Sequence, residues 1–426
     1  MCIFRGKGPL PIPVYQKKEC AYMKILQVNT VVRGSSVGRI MADLYEVIRS
    51  SGNEALMAVG REPWSGEYEG MLIGSKKDFY RHVLKNFFRG EGGFGSKEVT
   101  EKFLAWVEKE KPDLIHLHNI HGFYLQVELL FEYIKKKKIP VVWTLHDCWS
   151  FTGHCAYYDF AACDKWKTGC NTCIHHARVY PYALFKDNTV DSYARKRKAF
   201  CGVDNLIIVT PSRWLAGQVK QSFLKEYPVK VIPNGIDLSL FCPKDTKVSD
   251  KEQKTVLGVA NIWEVRKGLI YFEKLAEDLP KDYRVQLIGV NKKQKKELGK
   301  KYPGKMTAME RTSSPEELAD AYRNAAVYVN ATLEDNFPTT NLEALACGTP
   351  VVTYETGGSG EALTEDTGIV VQRGNYDALL AAVIQGAKGA FDRDTCRKRA
   401  EEFDKNIRYQ EYLELYKERI ALKASK

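Results

Sequence analysis

The sequence has no long apolar run. None of its 426 residues falls in a stretch that approaches the ~20 consecutive apolar residues of a membrane-spanning helix. Residues 1–22 lack an apolar core followed by a small-residue cleavage site, so we predict no secretory signal. No motif typical of RNA- or DNA-binding proteins is present. These absences favour a cytoplasmic protein that does not bind nucleic acid, and the fold is read from Met23 onward.

Acidic residues are too few to balance the basic ones, and the formal net charge is +11. Part of the excess lies in two local runs, Lys135–Lys138 and Lys292–Lys301. Such runs are usually solvated helix faces, but polybasic surfaces also attract anionic lipid. A basic protein also suits a phosphorylated small molecule as its ligand. The charge therefore leaves open a solvated surface and a peripheral contact with the anionic inner membrane.

Short apolar runs alternate with amphipathic segments along the chain. In the first series, the runs at 24–30, 54–60, 113–119, 141–147 and 205–212 predict strands. After a polar stretch the series restarts, and we predict further strands at 256–262, 284–290, 327–332 and 351–354. Strands that alternate with helices form parallel sheets covered by helices. The sequence therefore predicts an α/β protein of two Rossmann-like domains, whose parallel sheets face each other across a cleft.

The predicted domain boundaries follow from these two series. We expect a loose extension over 1–22, a first domain over 23–242 and a second domain over 243–405, joined by a linker at about 242–254. In open α/β sheets, ligands bind beyond the carboxyl ends of the strands. The loops that follow the strands are therefore the place to look for a site.

Capping chemistry predicts two helix starts. Ser96 is a candidate N-cap for a helix over 96–110. Ser314 precedes Pro315, and Glu317 follows at the third helical position, which is a strong helix start.

The segment EDNFPTTNLEALACGTPVV (334–352) directly follows a predicted strand. Thr340 and Glu343 have capping-box spacing, so Glu343 could simply cap its own helix. A helix N-terminus and its preceding loop can also present backbone N–H groups to an anion. The spacing alone leaves both interpretations open.

Two other strand-end segments have residues suited to phosphate. Arg266 and Lys267 precede a helix in NIWEVRKGL (261–269), where they suit a diphosphate or form a solvated basic turn. Gly34 and Gly38 fall in the first strand-to-helix turn, where the backbone can approach phosphates.

These segments resemble the motifs of family 4 of the glycosyltransferases. Asp335 and Glu343 have the spacing of its E-x7-E motif, with Asp in the first position, and the resemblance continues through LEALACGTPVV. PNGIDLSLF (233–241) and YETGGSGE (354–361) resemble two further segments of that family. The resemblance implies a GT-B fold and metal-independent, retaining transfer from a nucleotide-diphosphate sugar.

The resemblance also implies roles for individual residues. Asp335, as a catalytic residue, would hold the donor sugar together with the loop residues Asn336, Phe337, Pro338 and Thr339. Glu343 would hold the ribose hydroxyls, with the diphosphate contacted by Gly34, Arg266 and Lys267. His118, near the carboxyl end of its strand, would lie beside the reacting sugar. The alternative histidine is His121, in the following loop.

A cysteine-rich insertion is predicted at 148–176. Cys155, Cys163, Cys170 and Cys173 could supply four thiolates to a structural zinc ion. Reduced buried thiols and a redox-sensitive disulfide are the alternatives. The stretch resembles the HD-x-W-x-F-T-G segment of exopolysaccharide glycosyltransferases of the colanic-acid type. No cofactor is expected for catalysis.

The resemblance implies a lipid-linked or oligosaccharide acceptor in bacterial surface or exopolysaccharide biosynthesis. It also implies that a helix over 406–426 packs back on the first domain. Within the same fold an epimerase or a phosphorylase is an alternative, and a carbohydrate-binding protein without activity is another. An NAD-dependent enzyme is disfavoured because no strand–GxGxxG–helix unit exists.

Overall fold

The computed structural model describes residues 22–32, 34–61, 63–64, 66–244 and 253–424. Nearly all of the predicted extension over 1–22 therefore lies outside the described residues, as does most of the predicted linker at 242–254.

The first sheet is parallel and has seven strands in the order β3-β2-β1-β4-β5-β6-β7. Its strands are β1 Lys24–Asn29, β2 Glu54–Val59, β3 Gly70–Leu72, β4 Leu114–Leu117, β5 Val141–Thr144, β6 Leu206–Thr210 and β7 Val229–Val231. Its central strands are buried throughout, as expected of a sheet covered on both faces.

The second sheet is also parallel, with six strands in the order β10-β9-β8-β11-β12-β13. Its strands are β8 Lys254–Val259, β9 Tyr283–Ile288, β10 Met306–Met309, β11 Val327–Asn330, β12 Val351–Tyr354 and β13 Gly368–Val371. The predicted fold class, two Rossmann-like domains with parallel sheets, is confirmed.

Helices cover both sheets. In the first domain they are α1 Ser36–Ser50, α2 Lys76–Arg89, α3 Lys97–Glu110, α4 Val127–Lys137, α5 Thr189–Phe200 and α6 Arg213–Gln221. The remaining helices are α7 Leu269–Asp278, α8 Lys292–Lys301, α9 Pro315–Asn324, α10 Thr339–Ala346, α11 Tyr376–Ala387, α12 Arg393–Glu401 and α13 Lys405–Ala424.

Both predicted helix starts are found, at Ser314 and at Ser96, but only the serine side chain at Ser314 forms the predicted cap bond. The Ser314 side chain accepts a hydrogen bond from the Glu317 backbone N–H, with Pro315 at the first helical position. Ser96 makes no side-chain cap to α3. Its backbone is left-handed, with φ of 57°. The Ser96 hydroxyl instead lies 2.9 Å from Nδ1 of His82.

The last helix, α13, packs on the first sheet. Its buried residues join the same core cluster as strand residues of the first domain. The hydroxyl of Tyr416 lies 2.7 Å from Nδ1 of His116 on β4, and Thr144 Oγ1 lies 3.2 Å from the hydroxyl of Tyr412. Burial lowers the pKa of His116 well below its usual value, so this ring is neutral. Helix α13 therefore belongs structurally to the first domain, although it follows the second domain along the chain.

The buried contact of Tyr416 predicts a graded loss of stability. Tyr416→Phe removes one hydrogen bond and should cost about 1 kcal/mol, because the His116 nitrogen loses its partner. Tyr416→Ala also opens a cavity and should cost about 3–5 kcal/mol. The exposed Leu422 on the same helix is the matched control, and Leu422→Ala should stay within about 0.5 kcal/mol. Thermal unfolding measures the order, and equal losses for Tyr416→Ala and Leu422→Ala would contradict this packing.

Candidate functional site

Loops that follow the strands of the two sheets meet at residues 334–338, which we call the donor loop. Phe160 donates its backbone N–H to Glu334 Oε1 at 2.7 Å. The Ser212 hydroxyl lies 2.5 Å from Asn336 Oδ1, and Asn234 Nδ2 donates to the carbonyl of Phe337 at 3.1 Å. Residues of the first domain therefore contact the donor loop at three points.

Glu343 lies at the centre of the domain interface and is only 1% exposed. Arg39 Nη2, from α1, donates to its Oε1 at 2.9 Å. The Tyr322 hydroxyl donates to its Oε2, also at 2.9 Å. Both carboxylate oxygens therefore accept hydrogen bonds from side chains of the protein.

The capping-box prediction for Glu343 is wrong. Helix α10 begins at Thr339, with Pro338 at the N-cap position and no side-chain cap. Thr340 therefore lies inside the helix and not at its boundary. Glu343 bonds instead to Arg39 and Tyr322, and its predicted role with the ribose hydroxyls stays a prediction.

Asp335 and Lys267 form an ion pair, with Lys267 Nζ 2.5 Å from Asp335 Oδ2. The turn that holds the lysine depends on Gly268, whose φ is 74°. A Cβ at Gly268 would lie 2.1 Å from the carbonyl oxygen of Ala331, so only glycine permits this close approach to the donor loop. The close approach places Lys267 and Asp335 at the ends of neighbouring strands.

Arg266 lies on the same side of the donor loop. Its guanidinium lies over the ring of Tyr157, 5.0 Å from the centroid, and Nη1 is 3.4 Å from the carbonyl oxygen of Glu334. Burial, followed by the charge of Asp335, raises the pKa of the Tyr157 phenol, so it stays protonated. Both predicted cations are thus gathered beside the predicted sugar-binding carboxylate.

Gly34 and Asn336 are two further residues of the predicted donor site. Gly34 has φ of 81°, and an added Cβ would meet nothing within 4 Å. Its predicted role with phosphate stays a prediction. Asn336 Nδ2 is buried and has no hydrogen-bond partner among the described residues. An amide donor left without a partner in this loop is available to a bound ligand.

The two candidate histidines line one small cavity together with His146 and Asp147. His118 is 2% exposed, between His146 Nε2 at 3.2 Å and Gln27 Oε1 at 3.3 Å. Burial holds the pKa of His118 well below its usual value, and burial lowers that of His146 to about 4. The role of His118 stays a prediction. His121 differs, because its Nε2 lies 2.7 Å from Asp147 Oδ2 and therefore has a carboxylate partner.

The cysteine-rich insertion reaches across to the second domain. Besides the bond from Phe160 to Glu334, Arg373 Nη1 pairs with Asp159 Oδ2 at 2.6 Å. Together with Tyr157 over Arg266, these residues place the insertion against the candidate donor site. Sequence reasoning missed Asp159 and Arg373, because no local motif marks a pair separated by more than two hundred residues.

The four candidate zinc ligands form no disulfide and carry free thiols. Burial raises the pKa of Cys155, and that of Cys170 to about 11, so these thiols stay protonated. In the described part of the chain, no group of three or more His, Cys, Asp or Glu side chains is arranged to hold a metal ion. Zinc binding by Cys155, Cys163, Cys170 and Cys173 is unsupported by this geometry and stays a prediction.

Two Rossmann-like domains whose strand-end loops converge on paired cations and carboxylates define a protein of the GT-B glycosyltransferase class. Two family models match this chain, "Glycosyltransferase Family 4" over residues 37–240 and "Glycosyl transferases group 1" over residues 253–388. Together they span most of the sequence. The chain therefore belongs to the family 4 glycosyltransferases, as its motifs predict.

One curated relative matches more than half of the chain. The chain is 27% identical, over 61% of its length, to the putative colanic acid biosynthesis glycosyl transferase WcaC of Escherichia coli K12. The match spans 64% of that relative, slightly less than two thirds.

Solved structures share the fold at low sequence identity. A sucrose-phosphate synthase from Thermosynechococcus elongatus superposes with a TM-score of 0.69 at 18% identity, covering 95% of this chain and all of that one. Anabaena HepE, solved with UDP and glucose, superposes with a TM-score of 0.63 at 16% identity, covering 92% of this chain and 99% of that one. Within the described ranges, no helix combines the length and the apolar character needed to cross a membrane.

The contact between the insertion and the donor loop predicts a local change in hydrogen exchange. Glu334→Ala removes the carboxylate that accepts the Phe160 amide, so exchange at Phe160 should accelerate about tenfold or more. Glu361→Ala is the matched control, because Glu361 accepts the backbone N–H groups of Arg213 and Trp214. Its effect should be confined to the start of α6. Unchanged protection at Phe160 in Glu334→Ala would contradict the contact.

Proposed function

We propose that this chain is a retaining, metal-independent hexosyltransferase. It moves a sugar from a nucleotide-diphosphate donor to a lipid-linked or polysaccharide acceptor in bacterial surface or exopolysaccharide biosynthesis. The observation that carries the proposal is the gathering of Lys267 and Arg266 beside Asp335, in a loop that leads into α10. The similarity to a relative named for colanic acid biosynthesis supports the acceptor class.

The donor would bind by replacing contacts that the protein makes with itself. A diphosphate is the stronger partner for two cations, and it would take Lys267 from Asp335. Asp335 and the unpaired amide of Asn336 would then be free to hold sugar hydroxyls. HepE, a structural neighbour, was solved with UDP and glucose, which supports a nucleotide and a sugar as the ligands here.

The transfer step would depend on stabilising the leaving group. As the bond from the anomeric carbon to the diphosphate breaks, negative charge builds on the departing oxygen, and Lys267 with Arg266 would neutralise it. The acceptor hydroxyl would attack from the same face, form the new bond to the anomeric carbon, and pass its proton to the departing diphosphate oxygen. No covalent nucleophile is invoked. His118 and the His121–Asp147 pair line the cavity on the opposite domain, where they would orient the acceptor.

The first test is a panel of UDP-, GDP- and ADP-sugars in a thermal-shift assay. A bound donor raises the melting temperature by mass action, so one nucleotide series should stand out. The selected donor is then incubated with a lipid extract, and proton NMR of the product reports the anomeric configuration. Retained configuration is expected, and an inverted product would overturn the proposed mechanism.

Lys267→Ala should reduce kcat/KM by about a hundredfold, the usual cost of losing one preorganised charge at a leaving group. Lys274→Ala is the matched control, because this exposed lysine follows on α7. It should leave the rate unchanged. Equal rates for Lys267→Ala and the natural protein would show that the diphosphate binds elsewhere.

Glu343→Ala separates the transferase from a carbohydrate-binding protein without activity. We expect loss of transfer, because the ribose hydroxyls would lose their acceptor, and unchanged transfer would count against this donor site. Donor turnover without acceptor would favour an epimerase. Turnover of an oligosaccharide with inorganic phosphate would favour a phosphorylase.

A further inference from the structure

Helix α2 (Lys76–Arg89) exposes a row of large apolar side chains. Tyr80 is 62% exposed, Leu84 58% and Phe88 53%, and their spacing of four places them along one face. Phe185, 68% exposed, extends the row by stacking on Phe88 with ring centroids 5.0 Å apart. We call these four residues the apolar row. A contiguous exposed apolar surface of this kind marks an interaction site.

The apolar row belongs to a firmly anchored helix. The opposite face of α2 is buried, where Asn86 Nδ2 donates to the carbonyl of Tyr182 at 2.8 Å. His82 Nε2 accepts the backbone N–H of Gly95 at 3.1 Å. The backbone N–H of Phe185 donates to the carbonyl of Phe87, which fixes the row's last member. The exposure of these side chains is therefore imposed by a well-packed element.

Cations flank the apolar row. Lys77, Arg81, Arg89 and Lys186 are all exposed beside it. The neighbouring acids are engaged locally. Asp78 closes the capping box with Ser75, and Glu91 pairs with Lys85 at 2.8 Å. An apolar stripe with basic flanks is the composition of a helix that lies in the interface of an anionic bilayer.

A pocket with two basic residues opens beside Tyr80. Arg61 and Lys76 line it together with Phe79. Arg61 Nε is buried with no hydrogen-bond partner in the described residues. Gly60, which also lines the pocket, follows the carboxyl end of β2. The pocket therefore opens at the edge of the sheet where strand-end ligands bind.

Aromatic contacts link this pocket to the candidate histidines. Phe123 contacts Phe79 on one side and Tyr180 on the other, with centroids 6.1 Å and 6.0 Å apart. The hydroxyl of Tyr180 lies 3.2 Å from Nδ1 of His121. Phe123 and Tyr180 therefore connect the wall of this pocket to His121 by direct packing.

We propose that the apolar row and its flanking cations dock on an anionic lipid bilayer. The apolar row enters the headgroup boundary, and the flanking cations contact lipid phosphates. The pocket lined by Arg61 and Lys76 then lies at the membrane surface. The phosphate of a lipid-linked acceptor would bind there. A second copy of the chain is a poorer occupant, because pairing this face with itself would bring like charges together. The acceptor part rests on the proposed function, whereas the docking does not.

The test is co-sedimentation of the full chain with vesicles. Phosphatidylcholine vesicles containing about a quarter phosphatidylglycerol should bind it, and vesicles of pure phosphatidylcholine should bind it much less. The double variant Leu84→Glu/Phe88→Glu should lower partitioning about tenfold or more, because it removes apolar contact and repels the anionic surface. Both positions are exposed, so thermal unfolding should be unchanged.

Two control variants distinguish this surface from others. Ile407→Glu changes an exposed isoleucine on α13 and should bind vesicles like the natural chain. Lys293→Glu/Lys296→Glu changes the exposed basic run on α8 and should lower binding far less than the α2 variant. Equal binding by the α2 variant and the natural chain would overturn the proposal, as would a loss confined to the α8 variant.

The assay needs no sugar donor, so its failure is separable from failure of the proposed function. A chain that shows a nucleotide-induced thermal shift but binds no vesicles would retain the donor site and refute the docking. Gel filtration of the α2 variant completes the test. A natural dimer that this variant converts to a monomer would assign the face to self-association and also overturn the proposal.

Discussion

The five residues of the donor loop are held from both domains, and the arrangement of the candidate site depends on this. Glu334 accepts a hydrogen bond from a backbone N–H of the insertion, and Asn336 accepts one from the Ser212 hydroxyl. The carbonyl of Phe337 accepts a hydrogen bond from Asn234. Each contact joins loops that follow strands of different sheets. The convergence holds the segment that contains Asp335, the partner of Lys267, against residues of the first domain.

Charge pairing prepares the site for an anionic ligand. Lys267 pairs with Asp335, and Arg39 pairs with Glu343 across the domains. In the proposed binding mode, a diphosphate would exchange the Lys267–Asp335 pair for contacts with the ligand. Because Arg39 belongs to α1, its ion pair with Glu343, the proposed ribose-binding carboxylate, depends on the position of the first domain.

Much of the fold could be predicted, because buried parallel strands read as short apolar runs between helices. The strands at 24–29 and 351–354 are examples. Helix α2 was missed although Ser75 and Asp78 form a capping box at its start, a signal that the sequence contains. Strand β3 was missed because it has only three residues and begins with glycine.

The site could be predicted only in part. Local motifs identified Asp335, Lys267 and Glu343, but the capping-box interpretation of Glu343 failed because α10 starts at Thr339. The sequence did not indicate the partners of these residues, since Arg39, for example, lies 304 positions from Glu343. Contacts of that range arise from domain arrangement, which no local spacing encodes.

The most direct test of the donor site is a crystal structure with the nucleoside diphosphate selected by the thermal-shift panel. The account predicts the diphosphate between Lys267, Arg266 and the start of α10, with Asp335 released from Lys267 and the ribose hydroxyls on Glu343. A nucleotide bound with its diphosphate away from Lys267, or with the Lys267–Asp335 pair intact, would contradict it.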